Sequence, residues 1–211
     1  MLARSSNDIY VLGSTRFGQV IDVDGVLAGI EQTEDTDILS LRGSKVVQDW
    51  VRNFNAVPVW HPKLGFVHSG FVIGMDDVFG VTRSKVGQGG RKIAITGHSL
   101  GGAHARILAA MFACAGIQVE VLCVFGSPKP GFTNLARIIQ KSGMQHSSYR
   151  NRNDVVPTMP LTVEPILDFV HTEPWIEVDA APPATDFEAL RDHACALYVQ
   201  ALTPVPLETQ H

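Results

Sequence analysis

The sequence predicts an α/β fold with a mostly parallel central sheet flanked by helices. Three observations carry this. From residue 37 onward, strand-like and helix-like segments alternate, the pattern of a parallel sheet built from crossover units. Two strand segments, 93–96 and 119–125, are short, mostly apolar runs, as expected of buried strands. A strand also passes straight into a helix through Gly97-His98-Ser99-Leu100-Gly101.

Residues 1–24 give only short fragments, at Tyr10-Val11-Leu12 and Gln19-Val20-Ile21, broken by Gly13 and Gly18. Residues 25–32 and 37–42 read as two strands joined by the acidic turn at 33–36, an antiparallel hairpin leading into the sheet. At Gly43-Ser44 the period changes. Val47, Trp50, Val51 and Phe54 are spaced i, i+3, i+4, i+7, one apolar stripe on a short helix that stops before Pro58. Residues 60–65 read as a loop and 69–86 as an amphipathic helix ahead of the Gly87-Gln88-Gly89-Gly90 break. After the strand at 93–96, the text from Leu100 is rich in strong helix formers. A strand at 119–125, a helix at 132–141 and a strand at 146–152 follow. A proline-rich loop then covers 155–166, one more strand lies within 169–178, Pro182-Pro183 is a linker, and 186–202 holds the last helix.

The whole chain, 211 residues, is expected to form a single domain, 1–211. Apolar residues make up 45% and charged residues 18%, which excludes a disordered chain. A net charge of −4 argues against a nucleic-acid partner, and Arg83, Lys85, Arg91 and Lys92 read as a solvated loop. Cys114, Cys123 and Cys195 are an odd number without metal spacing, which predicts buried free thiols and fits a reducing compartment. The N-terminus shows no apolar signal-peptide core. A cytoplasmic location is therefore expected, with export by another route left open. No apolar run approaches the ~18 residues of a transmembrane helix. There is no His-Glu-x-x-His or Cys-x-x-Cys, so neither metal nor cofactor is expected. Oligomeric state is not legible.

The pentapeptide at 97–101 is a Gly-x-Ser-x-Gly. On a sharp strand-to-helix turn, such a serine is held in a strained conformation with its hydroxyl projecting from the sheet. The following helix aims its positive end at the place where an oxyanion forms. Ser99 is thus a candidate nucleophile, and it needs an acid and a base. In open α/β sheets ligands sit beyond the carboxyl ends of the strands, and on this elbow the acid and then the histidine come after the serine. Asp154 directly follows a strand. Of eight histidines, His61, His68 and His98 precede Ser99, His104 lies inside the elbow helix, His146 precedes Asp154 and His211 is terminal. His193 is the candidate base, near the start of the last helix with Asp192 as its N-cap, and His171 is the second choice. One oxyanion donor is the N–H of Leu100. Ser44, after a strand end and Gly43, suits the second, and it is equally suited to capping the helix that follows.

Here the sequence resembles the class 3 lipase family, the fungal-type triacylglycerol lipases. The resemblance rests on Ile38-Leu-Ser-Leu-Arg-Gly-Ser44, Asp49-Trp50, Val67-His-Ser-Gly-Phe71 and Ile95-Thr-Gly-His-Ser-Leu-Gly-Gly-Ala103. It continues through Val124-Phe-Gly-Ser-Pro128, Asn153-Asp154-Val-Val-Pro157 and Asp192-His193. It implies an α/β-hydrolase fold, a Ser99–Asp154–His193 triad, an oxyanion hole from Ser44 and Leu100, and a lid over residues 45–55. It also implies ester hydrolysis through an acyl-enzyme, on an acylglycerol or related lipid ester, with transient contact at a lipid surface. Val47, Trp50, Val51 and Phe54 would then form the inner, acyl-facing side of the lid; the other reading is a helix packed permanently on the core. A soluble short-chain esterase, a phospholipase A1, an acyltransferase and a non-catalytic binding protein on the same fold remain alternatives.

Overall fold

The computed structural model describes residues 1–11, 13–44, 57–151, 153–160, 168–180 and 192–203. The proposed lid at 45–55, with Val47, Trp50, Val51 and Phe54, lies outside the described residues, as does the linker at Pro182-Pro183.

The main sheet has seven strands in the order β1-β2-β3-β6-β7-β8-β9. They are β1 (Gln19–Val23), β2 (Val26–Gln32), β3 (Thr36–Leu41), β6 (Lys92–His98), β7 (Val121–Phe125), β8 (Gln145–Asn151) and β9 (Ile176–Val178). β1, β2 and β3 pair antiparallel, so the expected hairpin is present. From β3 to β9 every pairing is parallel. A separate two-stranded ribbon joins β4 (Pro58–His61) to β5 (Gly65–His68).

Helices cover both faces. The long helix α4 (Leu100–Cys114) lies on one face of β6 and β7, packed against α2 (Ser69–Val72), α3 (Met75–Thr82) and α5 (Thr133–Lys141). It is buried without interruption from Gly101 to Phe112, which explains why its sequence is apolar all round rather than striped. Its partners include Ile95, Leu122, Val124, Phe71, Met75 and Leu135. On the other face, α1 (Leu2–Asp8) packs on α6 (Cys195–Leu202), β3 and β6. A smaller core of Ala3, Cys123, Phe125 and Tyr198 lies there.

Several sequence expectations are corrected. Residues 60–65 are not a loop but the arms and turn of the β4–β5 ribbon. The helix expected over 69–86 is broken in two, because Gly74 adopts φ 75° and ends α2 before α3 begins. Within 186–202, the described helix begins only at Cys195; its N-cap is Ala194, so Asp192 does not cap it. Cys114 is a free thiol but exposed. Arg91 is not simply solvated: its Nε donates to buried Asp37 at 2.8 Å.

Buried histidines make the fold acid-sensitive. Burial pulls the His104 imidazole down to about 4 and His171 to about 3. The unfolded imidazole gains a proton below about 6.5, and the folded one only at much lower pH. Between those limits the unfolded chain binds more protons, so stability falls as pH falls. We expect the melting temperature to drop between pH 6.5 and 4, with a shallower drop in His104→Leu; equal slopes in the two proteins would contradict this origin.

Candidate active site

Parallel register brings the carboxyl ends of β3, β6, β7 and β8 to one edge of the sheet. Leu41 pairs with Gly97, His98 with Phe125, and Phe125 with Tyr149. Each strand end delivers one part of the site: Gly43-Ser44 after β3, Ser99 after β6, Gly126 after β7 and Asp154 after β8.

Ser99 caps α4 with φ 59° and ψ −132°, a left-handed conformation that costs on the order of 1–3 kcal/mol for a residue with a side chain. Its N–H is held by the Phe125 carbonyl at 2.9 Å, and its carbonyl accepts from Gly102 N–H at 2.9 Å. The turn closes only because Gly101 has no Cβ; one placed there would lie 2.8 Å from the Arg42 carbonyl carbon and from Gly43 N. The elbow thus sits directly against the loop that carries Ser44.

Asp154 is completely buried, and three donors converge on it. His193 Nδ1 and the Tyr198 hydroxyl donate to Oδ2 at 2.7 and 2.5 Å, and Val156 N–H donates to Oδ1 at 2.9 Å. A carboxylate can only accept here, so the proton of His193 sits on Nδ1 and Nε2 carries the lone pair. Nε2 of His193 and Oγ of Ser99 are both buried and, among the described residues, make no hydrogen bond. In a site without substrate, a nucleophile–base hydrogen bond is often long and tightens only in the complex. Gly126, at φ 54°, lines this pair; a Cβ there would stand 2.7 Å from Asp154 Oδ2 and 3.0 Å from His193 Nδ1.

His171, the second choice for the base, bonds the Pro157 carbonyl through Nε2 at 2.7 Å and packs edge-on against Trp175. Leu100 opens α4 directly after Ser99.

Two contributors were missed by sequence reasoning. Burial, and then the Asp154 charge, push the Tyr198 phenol well up, so it remains a donor; its oxygen also accepts from Asn151 N–H at 2.9 Å. Arg106, fully buried on α4, donates to Ser127 Oγ at 3.0 Å and the Pro128 carbonyl at 3.2 Å, fixing the loop after β7. Tyr198 follows His193 by five residues, a spacing with no motif. Arg106 interrupts an apolar helix, and that interruption was a usable signal.

A parallel sheet with a strained serine elbow, and an aspartate after a later strand paired with a histidine before the last described helix, is the α/β-hydrolase fold. Within it, the chain belongs to the class 3 lipase family: the family model described as Lipase (class 3) matches residues 38–164. The chain is 28% identical over 179 residues to the secreted mono- and diacylglycerol lipase 1 of Fusarium solani, covering 81% of this chain and 52% of that protein. It is 29% identical over 168 residues to the secreted mono- and diacylglycerol lipase A of Penicillium cyclopium, covering 74% of this chain and 53% of that protein. The solved structure of Rhizomucor miehei triacylglyceride lipase superposes with a TM-score of 0.69 at 21% identity, over 85% of this chain and 77% of that one, a likeness of fold. The chain spans about half the length of the curated relatives it matches. These relatives also correct the expected cytoplasmic location: both are named as secreted, which points to the extracellular side. No helix among the described residues is long and apolar enough to cross a membrane.

If Tyr198 steadies Asp154, Tyr198→Phe should lower kcat about tenfold, the scale of one hydrogen bond to a charged group, while KM stays within about twofold. It should also destabilise the fold by about 1–3 kcal/mol, because Asn151 N–H loses its buried acceptor. Steady-state kinetics with a soluble ester and thermal melts check both; an unchanged kcat would contradict the role.

Proposed function

We propose that the protein is a serine carboxylic-ester hydrolase of lipase type, acting on acylglycerols or related lipid esters through an acyl-enzyme. The observation that carries this reading is the hydrogen bond of 2.7 Å from His193 Nδ1 to buried Asp154, which leaves the lone pair of the imidazole on Nε2, where a general base needs it. The substrate class is supported by relatives named for mono- and diacylglycerols.

In this mechanism, Ser99 Oγ attacks the ester carbonyl as His193 Nε2 takes its proton. Asp154 holds the imidazole in the required tautomer and balances the imidazolium that forms. The N–H groups of Ser44 and Leu100, together with the Ser44 hydroxyl, receive the oxyanion, and the N-terminal end of α4 adds its positive dipole. His193 then protonates the departing alcohol. A water enters, gives its proton to His193 and attacks the acyl carbonyl; Ser99 takes the proton back as the fatty acid leaves. No step needs a metal or an organic cofactor. Ser99 exposes none of its surface and His193 1%, so an ester reaches Oγ only after the site opens. Opening at a lipid surface links this closed site to the proposed substrate.

A p-nitrophenyl ester series tests the reading. Wild type should hydrolyse it, and Ser99→Ala should lose at least ~10³ in kcat/KM. Ser44→Ala should lose up to ~10²–10³ in kcat with little change in KM, the scale of one oxyanion donor. For the lipase reading, rate against substrate concentration should rise steeply where the ester begins to form an emulsion. Hydrolysis unaffected by Ser99→Ala would remove the proposal; a smooth saturation curve through the solubility limit would shift it to a soluble esterase.

A further inference from the structure

His98, the residue before the nucleophile, and Tyr10, in the N-terminal segment, have no place in the mechanism above. Yet they form a hydrogen-bonded chain whose every proton can be assigned. His98 Nε2 lies 2.6 Å from the main-chain carbonyl of His193. A carbonyl only accepts, so Nε2 carries a proton. Burial, and then the neighbouring His193, hold the His98 imidazole well below its ordinary value, so it is neutral and Nδ1 is an acceptor. Nδ1 is 3.1 Å from the Tyr10 hydroxyl, which must therefore donate to it. The lone pairs of that hydroxyl remain, and Gly43 N–H donates to them at 3.1 Å. The direction runs from Gly43 N–H to Tyr10, from Tyr10 to His98, and from His98 to the His193 carbonyl.

Packing limits the freedom of this chain. The His98 and His193 rings lie 4.5 Å apart, centre to centre. Gly43 is pressed against the elbow: a Cβ on it would lie 2.6 Å from the His98 carbonyl and 3.1 Å from Ser99 Cβ. Tyr10 is delivered by α1, which is pinned to the sheet through buried hydroxyls. Ser5 Oγ meets Ser40 Oγ at 2.8 Å and Ser6 Oγ meets Thr96 Oγ1 at 2.7 Å. Thr96 donates to the Cys123 carbonyl at 2.7 Å, so Ser6 is the donor to Thr96. Arg16 closes the segment by bonding Asp8 at 2.7 Å and Glu31 at 2.8 Å.

We propose that Tyr10 and His98 are positioning residues that fix the backbone of the oxyanion loop relative to the backbone of the catalytic histidine. Three separate stretches of chain, after β3, after β6 and before α6, must meet around one reacting carbonyl. Only the middle one, Ser99, is fixed by the elbow itself. The Tyr10–His98 chain ties the outer two to the residue next to it. It also gives residues 1–24 a function: they supply the hydroxyl that completes the link. The inference rests on the proposed roles of Ser99, His193 and Ser44.

The test is the kinetics of Tyr10→Phe, which removes one oxygen and keeps the ring, on a soluble p-nitrophenyl ester. We expect kcat to fall about tenfold and KM to stay within about twofold; the melting temperature falls as well, because buried Gly43 N–H loses its acceptor, so the kcat-against-KM split carries the test. In a Ser44→Ala background, the same substitution should cost less than about threefold, because both act through one loop. His98→Gln, whose amide can still donate to the His193 carbonyl, should retain several times the activity of His98→Leu. A kcat within twofold of wild type in Tyr10→Phe, full additivity with Ser44→Ala, or equal losses in the two His98 variants would each overturn the proposal. Ser99→Ala, run alongside, separates the two levels. If it stays active, the hydrolase reading fails; if it is inactive while Tyr10→Phe is normal, only the positioning role fails.

Discussion

Ser99 sits at φ 59°, where a side chain is unwelcome, and the surrounding structure has to hold it there. A turn this tight needs backbone approaching backbone, so a glycine stands two residues past the serine and the helix behind it is buried almost end to end. That helix must in turn be apolar on every side, which places layers of structure on both faces of β6. Parallel pairing then follows, since each neighbour of β6 is reached through a covering helix, and parallel pairing puts all the strand ends on one edge. The geometry of one residue thus accounts for the layered core and for the location of the site.

The sheet alone does not orient the groups at that edge. Buried polar contacts do, and most join residues far apart in the chain. Asp154 receives Tyr198 across 44 positions and His193 across 39. Arg106 reaches the loop after β7, and Tyr10 reaches His98 across 88 positions. In a low-dielectric interior each contact is stronger than in water, and each is costly when left unmade. Such a network favours one arrangement over nearby alternatives. It also ties the N-terminal and C-terminal segments to the middle of the chain, so neither is a dispensable appendage to the sheet.

The sequence revealed those parts whose cause is local. The buried strands showed as apolar runs, the β2–β3 hairpin as two runs around an acidic turn, and the elbow as glycines flanking a serine. Asp154 and His193 could be chosen because chain order limits the candidates. Parts whose cause is distant were not legible. α1 carries no apolar stripe; it is held by serine hydroxyls bonded to strands whose pairing partners the sequence does not reveal. The β4–β5 ribbon reads as a loop because Pro62, Lys63 and Gly65 are turn residues, and only the pairing of Trp60 with Phe66 and its neighbours reveals the strands. The break at Gly74 was hidden inside a regular apolar pattern. The expected cytoplasmic location rested on the N-terminal residues alone, and relatives named as secreted contradict it.

The central claim is that this strained serine is chemically activated by the His193–Asp154 pair. The most direct measurement is mass spectrometry of the protein after reaction with an alkyl phosphonate ester, which attaches covalently only to an activated hydroxyl. The account predicts one adduct per chain, mapped to the peptide containing Ser99, and its disappearance in His193→Ala. No adduct, or an adduct on another residue that survives the loss of His193, would contradict it.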